Sequence, residues 1–401
     1  MSQRPLNIFI SHPSNVLTDS WPHGDGLIAH AILRRLADRG HTLHVAVPLS
    51  ALEKPMPGNV HLYPIEARVP HTRDGQNFAY RMEYAVRVRR LFSQLRQKTE
   101  IDLIHQLNPV VGGLSMFLYG LGYPVLLGPL WPLLEKSEGN GKGARSWSAK
   151  IKDRLLSNQF ARADGILSPT PASAARLPGS ARVIPFHLGI DTEQFSPDPS
   201  ARPDKPTILF LANMQTRKGI FVLLSAFERV LEALPTAELL LAGDGEQLNE
   251  VRSRIEKSSR PAQIRLLGRV SRPDVAATMR ACSLYCLPSF GEPYGMSALE
   301  AMACGKPLVV TNEGGLGYLV PDQGCLKVPS RDASALGQAL IRILKDDGLQ
   351  ERMGSFNRDH VTTYHRWDRV VEHLEEIYAQ LMQQSSQGDV QLVKNRQELA
   401  L

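Results

Sequence analysis

Residues 206–245 read PTILFLANMQTRKGIFVLLSAFERVLEALPTAELLLAGDG. The apolar run from Pro206 to Met214 reads as a strand, and a short polar turn follows it. KGIFVLLSAFERVLEAL then carries apolar residues at helical spacing. A second apolar run, Ala237 to Gly245, returns as a strand. Two strands joined through a helix form a βαβ unit, so this stretch predicts a parallel sheet.

The same rhythm extends both ways. Downstream, QIRLLGRV (Gln263 to Val270), CSLYCLPS (Cys282 to Ser289) and KPLVVTN (Lys306 to Asn312) read as strands, with helical patterns such as RPDVAATMRA between them. Upstream lies a separate series. NIFISH (Asn7 to His12) is a strand, GLIAHAILRRLADRG (Gly26 to Gly40) a helix with a glycine stop, and HTLHVAVP (His41 to Pro48) the next strand. IDLIHQL, YPVLLG and GILSPT continue it. Between the two series DTEQFSPDPSARPDKPT (Asp191 to Thr207), rich in Pro, Asp and Ser, reads as a linker.

A chain of 401 residues is long enough for two domains of ordinary size. The expectation is two Rossmann-like, doubly wound α/β domains, 1–195 and 196–365. A C-terminal helix (366–384, WDRVVEHLEEIYAQLMQQ) and a polar tail (385–401) follow. Ligands of such sheets sit beyond the carboxyl ends of the strands, so the cleft between two such domains is the expected site.

The formal charge of +6 is uneven: residues 1–200 hold 22 Lys+Arg against 16 Asp+Glu, and the remainder hold 24 of each. Such asymmetry concerns partners and not fold. The four cysteines, Cys282, Cys286, Cys304 and Cys325, form no CxxC pair, which predicts buried thiols in a reducing compartment and no metal site. No signal-peptide pattern is visible at the start, MSQRPLNIFISHP. The uncharged run from Gln106 to Leu134 is interrupted by Gly and Pro, so a short buried helix, a turn at Gly122–Pro124 and a buried strand are expected in place of a membrane span.

Chemistry concentrates in GEPYGMSALEAMACGKP (Gly291 to Pro307). A loop follows the strand CSLYCLPS, and MSALEAMA has strong helix propensity. Gly295, Met296 and Ser297 therefore sit at a helix N-terminus, where open N–H groups and the helix dipole suit a diphosphate. Glu292 lies on the loop and Glu300 inside the helix. Eight helical steps rise about 12 Å, wider than a glycosidase pair, so two carboxylates recognising hydroxyls fit better than hydrolysis. Taken alone, the two are also compatible with an exposed helix residue and a dipole partner. Arg217 and Lys218 open a helix after the first strand of the second series, where cations can neutralise a pyrophosphate leaving group; read alone, they equally fit a solvated pair of charges at a turn. In WPHGDGL (Trp21 to Leu27), Gly24 and Gly26 permit close approach of a phosphate, though the pattern is not GxGxxG and equally fits a glycine-rich turn into a helix.

Together these residues resemble the family-4 retaining glycosyltransferases of the GT-B fold. GEPYGMSALEAMACGKP is similar to that family's signature of two glutamates with seven residues between them, followed by A-M-A-x-G-x-P, and LANMQTRKG to its phosphate-binding turn. FHLGIDTEQFSP and LADRGH also match. The resemblance implies that Glu292 contacts hydroxyls of the donor sugar, Glu300 binds the ribose, Lys218 holds the diphosphate, amides near Gly295 to Ser297 contact the donor, and Gly26 approaches the phosphate. It implies transfer of a hexose from a UDP- or GDP-sugar with retention, with no cofactor and no metal. The sequence departs from the family at two places. The Arg five residues before the matching Lys is Asn213 here, with Arg217 nearby. The His after the strand matching PVLLG is absent from GPLWP (Gly128 to Pro132), leaving His105 and Trp131 as acceptor-side candidates.

In such enzymes the first domain takes the acceptor. Arg81, Arg87, Arg89, Arg90, Arg96 and Lys98 form one basic segment, and Lys136, Lys142, Arg145, Lys150, Lys152 and Arg154 a second. These suit an anionic membrane surface presenting a glycan, lipid-linked or phosphorylated acceptor, and equally a solvated charged face. No aromatic–basic motif for nucleic acid is present. The expected location is cytoplasmic, extending to the inner face of the membrane. A nucleotide-sugar-binding protein without transfer activity and a non-hydrolysing epimerase are the competing readings.

Overall fold

The computed structural model describes residues 4–13, 16–20, 24–66, 78–107, 115–130, 154 and 157–387. Trp131, Lys136, Lys142, Arg145, Lys150 and Lys152 lie outside them. The chain forms two compact units. One runs to Leu188 and takes in the chain from Trp367 onward; the other is Gly189–Arg366.

The first unit is built on a seven-stranded sheet. Its order is Val60–Pro64, Thr42–Val47, Asn7–Ser11, Leu103–Gln106, Val125–Leu127, Gly165–Ser168, Val183–Pro185, and every pairing is parallel. The second unit has six strands: Ile264–Gly268, Glu238–Ala242, Thr207–Leu211, Leu284–Leu287, Leu308–Thr311, Cys325–Val328, again all parallel. In chain order that is 3-2-1-4-5-6, the doubly wound arrangement. Central strands such as Leu284–Leu287 are buried throughout, which is why they read as unbroken apolar runs. Sequence reading passed over Val60–Pro64, Val183–Pro185 and Cys325–Val328. All three are edge strands with partly exposed residues, so their apolar signal is diluted.

The Ile220–Ala233 helix shows why the pattern works. Ile220, Leu223, Leu224, Phe227, Val230 and Leu231 recur at three- and four-residue spacing and are buried on one stripe. Each such side chain contributes about 1.5–3 kcal/mol when fully buried. The Gln106–Leu134 run resolves, where described, into a 3-10 turn at Ser115–Leu118 and the strand Val125–Leu127. Among the described residues no helix is long and apolar enough to cross a membrane.

The stretch read as a linker is packed into the second unit at its start. Arg358 donates to the carbonyls of Phe195 and Thr192 at 2.8 and 3.1 Å, and Arg280 to those of Ser196 and Gln194 at 2.7 and 2.8 Å. The basic segment Phe78–Leu95 is a helix, and it corrects one expectation. Arg81 is buried and shares the core-facing stripe with Tyr84, Ala85, Val88 and Phe92, so it does not belong to an exposed basic face.

The Trp367–Gln387 helix lies on the first unit. Val370, Val371, Leu374, Ile377, Tyr378 and Leu381 form its buried stripe. Two polar contacts set its register. Leu6 N–H donates to His41 Nδ1 at 3.0 Å, so the ring proton lies on Nε2, which donates to Glu375 Oε1 at 2.8 Å. Arg39 completes the clasp on Glu375 Oε2 at 2.7 Å. Below it, His105 Nε2 donates to the Gly128 carbonyl at 2.9 Å, so Nδ1 accepts from Tyr378 Oη at 2.7 Å. Burial drives the His105 pKa down to about 4, against the opposing pull of the Gly128 bond.

Burial pushes the Glu375 carboxyl up, but the bonds from Arg39 and His41 outweigh it and leave it below the ordinary value. A depressed carboxyl stabilises the fold above its unfolded pKa and loses that contribution as pH falls through the folded value. Glu375→Ala should cost about 1–3 kcal/mol in urea unfolding at pH 7, the partial exposure of Arg39 weakening the pair. The loss should shrink below pH 4; a loss constant down to pH 3 would contradict the assignment. His105 is buried neutral, so its unfolded form takes up a proton first. Its contribution is full above about pH 6.5 and falls away toward pH 4. His105→Asn should flatten the stability profile across that window, as read by thermal melts at half-unit steps.

Candidate functional site

The site is assembled from loops after the strands of the second unit. After Thr207–Leu211 comes the 3-10 turn Thr216–Lys218, and then the Ile220–Ala233 helix. Gly219 joins them at φ +75°, and a Cβ there would sit 2.0 Å from the Pro288 carbonyl oxygen. The turn is thereby pressed against the end of strand Leu284–Leu287. Phe290 N–H donates to the Arg217 carbonyl at 2.7 Å and fastens the two loops together.

This contact places Lys218 beside Glu292. Lys218 Nζ lies 2.5 Å from Glu292 Oε2, with side chains only 12% and 10% exposed. Ser289 Oγ lies 3.1 Å from the same oxygen, and Thr311 Oγ1 donates to the Ser289 carbonyl at 2.7 Å. Gly315 N–H donates to the Glu292 carbonyl at 2.6 Å, so a third loop holds the glutamate from behind.

Helix Met296–Ala303 starts from Gly295 at φ +104°. A Cβ on Gly295 would meet Leu316 Cδ2 at 2.5 Å, so both conformation and space demand glycine. The amides of Met296 and Ser297 donate to no acceptor among the described residues, as expected of a first helical turn. Ser297 Oγ is bonded to the phenol of Tyr285 at 2.7 Å, and that phenol also reaches the Leu211 carbonyl at 3.2 Å. Burial lifts the Tyr285 pKa well above its ordinary value, so the phenol stays protonated. Glu300, one turn deeper, is buried and ion-paired with Arg272 Nη1.

The structure thus pairs Lys218 with Glu292, on the loop that leads into Gly295, Met296 and Ser297 at the start of the helix that carries Glu300. Asn213 and Arg217 are exposed on the same turn, and Arg217 Nε donates to Gln215 at 3.1 Å. Gly24 and Gly26 open the Gly24–Asp38 helix of the first unit, Gly26 buried and Gly24 exposed. The acceptor-side expectation for His105 is corrected: both ring nitrogens are committed to the Gly128 carbonyl and Tyr378, and the ring is fully buried. Trp131 lies outside the described residues. Sequence reading did not single out Ser289, Tyr285, Thr311 and Arg272 as site residues; only spatial neighbourhood marks them.

Among the described residues no group of His, Cys, Asp or Glu is placed to hold a metal ion. All four cysteines are free and buried. Burial pushes the thiols of Cys282 and Cys325 up to about 12 and that of Cys304 to about 11, so they are not thiolate nucleophiles at neutral pH. The chemistry available is a cation, a carboxylate and open amides, suited to an anion and to hydroxyls.

Residues 24–194 match the family described as Glycosyltransferase Family 4, and residues 191–360 that described as Glycosyl transferases group 1. The phosphatidyl-myo-inositol mannosyltransferase of Mycobacterium leprae is 31% identical over 246 residues, 58% of this chain and 60% of that protein. A glycogen synthase of Mycobacterium tuberculosis is 28% identical over 236 residues, 58% of this chain and 55% of that one. These matches thus span little more than half the length of the relatives. Among solved structures, sucrose-phosphate synthase from Thermosynechococcus elongatus superposes with a TM-score of 0.77 at 20% identity, covering 94% of this chain and 99% of that one. Anabaena HepE in complex with UDP gives 0.70 at 17% identity, covering 94% and 100%. With both of its units matched in sequence, the chain belongs to the family-4 glycosyltransferases, and solved structures share its GT-B fold.

Proposed function

We propose that this protein moves a hexose from a nucleotide-diphosphate sugar, a UDP- or GDP-sugar, to a hydroxyl of a glycan or glycolipid, with retention at the anomeric carbon and without a metal. The observation that carries this reading is the Lys218–Glu292 pair, whose loop runs directly into the open amides of Met296 and Ser297. A diphosphate at the helix start competes with Glu292 for the Lys218 ammonium, and the released carboxylate accepts from sugar hydroxyls. When the bond from the anomeric carbon to the diphosphate oxygen breaks, Lys218 and the helix amides stabilise the charge left on that oxygen. The acceptor hydroxyl adds to the anomeric carbon, and its proton passes to the departing diphosphate. Tyr285 holds the Ser297 hydroxyl, which keeps the amide end of the helix in one geometry. The names of the relatives support a sugar transfer, and HepE has been solved with UDP and UDP-glucose.

The reading extends to the acceptor. Along Phe78–Leu95 a groove of about 600 Å³ is lined by Val86, Leu91, Arg87 and Arg90, and Val86 is 51% exposed. Apolar surface edged by arginines suits the inner, anionic face of a membrane carrying a lipid-linked or phosphorylated acceptor, and so a cytoplasmic, peripheral enzyme. Arg87 is partly spent on Glu83 at 2.6 Å, which leaves Arg90, Arg96 and Lys98 as the leading cations.

Incubation with a panel of UDP-, GDP- and ADP-sugars should release nucleotide from one of them. Lys218→Ala and Glu292→Ala should each lower that release about 100-fold or more, with folding checked by circular dichroism. Tight binding without release in the presence of glycan and lipid acceptors would favour a binding protein, and no binding of any nucleotide would overturn the donor site. Pelleting with anionic liposomes at moderate salt, but not with neutral ones, is the outcome expected for the membrane face; Arg90→Glu together with Arg96→Glu should abolish it.

A further inference from the structure

We propose that Arg272 is a positioning residue for donor recognition: it engages one oxygen of Glu300 and leaves the other free to accept from a ribose hydroxyl. The inference rests on the donor-site reading above. Arg272 opens the 3-10 turn Arg272–Asp274, just beyond strand Ile264–Gly268, and Glu300 lies in the helix after strand Leu284–Leu287. Both therefore stand on the carboxyl side of one parallel sheet, where ligands of this architecture bind.

The contact between them is one-sided. Arg272 Nη1 meets Glu300 Oε1, whereas Oε2 has no hydrogen-bond partner among the described residues. A guanidinium can grip both oxygens of a carboxylate at once, and a pair serving stability alone gains most from doing so. Here half of a carboxylate that is only 7% exposed stays uncommitted. That oxygen is not fully buried, so a ligand hydroxyl can reach it and donate to it.

Arg272 is also held independently of Glu300. Its guanidinium carbon stacks 4.9 Å above the Phe195 ring. The Gln194 amide donates to its carbonyl at 3.4 Å, and Ser271 bonds Asp274 across the turn. Phe195 is in turn fixed by Arg358 at its carbonyl. A fork pinned from several directions holds the Glu300 carboxylate in one rotamer before any nucleotide arrives. That preorganisation lowers the cost of binding.

The test compares the affinity of the full chain for UDP, GDP and ADP with that for the 2′-deoxy and 3′-deoxy forms of whichever binds, by titration calorimetry. The wild type should lose at least about tenfold when the recognised hydroxyl is removed. Arg272→Met, which keeps length and stacking area, should reduce that ratio to within about twofold, as should Glu300→Gln. The double variant should resemble either single, because both act through one carboxylate. Arg272→Lys keeps the charge against Glu300 but loses the planar stack; it should fold and show a ratio between wild type and Arg272→Met, so the question remains answerable if the Met variant does not fold. Equal weakening of ribo and deoxy ligands by the Arg272 variants would overturn the proposal and mark the pair as structural. A wild type that binds nucleotide but ignores both hydroxyls would overturn it while leaving the donor site standing. A wild type that binds no nucleotide would remove the donor site and this inference together.

Discussion

The parallel pairing of Thr207–Leu211 between Glu238–Ala242 and Leu284–Leu287 is the constraint on which the second unit depends. It reverses the direction of winding at one strand. The turn after that strand and the loop after its neighbour Leu284–Leu287 must then emerge side by side. Lys218 and Glu292 are 74 positions apart in the chain and 2.5 Å apart in space for that reason. Side chains this poorly exposed are desolvated, and a lone ammonium or carboxylate there would be costly. Each is tolerated because the other neutralises it, and because Ser289 and Gly315 hold the glutamate.

Glycine makes the loops fit. Gly219 and Gly295 take left-handed conformations where a side chain would strike the Pro288 carbonyl or Leu316. The two turns can then approach each other closely enough for their backbones to bond. A small number of main-chain contacts, such as Phe290 to Arg217, hold the geometry that the charged pair uses. The rigid sheet supplies the reference frame, and the loops supply the chemistry.

In the first unit the same sheet plan serves a different end. Its C-terminal helix closes the unit by burying an apolar stripe, and Glu375 and Tyr378 select where along the sheet it lies. His105 shows how polar residues mislead. A histidine after a parallel strand is compatible with catalysis, yet this one spends both nitrogens on a carbonyl and a phenol. Arg81 shows the same for charge: six basic residues in one segment read as one face, but helical spacing turns Arg81 inward beside Tyr84 and Val88.

Much was legible in the order of residues, because local periodicity reports burial. Unbroken apolar runs marked the central strands, and stripes at three- and four-residue spacing marked Ile220–Ala233 and Trp367–Gln387. The spacing of Glu292, Gly295 and Glu300 located the helix start, since Gly followed by strong helix formers has a local cause. Edge strands such as Val183–Pro185 were lost because half-exposed residues carry a weak pattern. What the tertiary structure alone decided was partnership. Glu292 with Lys218, Glu300 with Arg272 and Tyr285 with Ser297 are pairs closed between separate elements. No local rule reaches across a crossover connection, because which loops meet depends on strand order, and strand order is set by how the whole sheet buries itself.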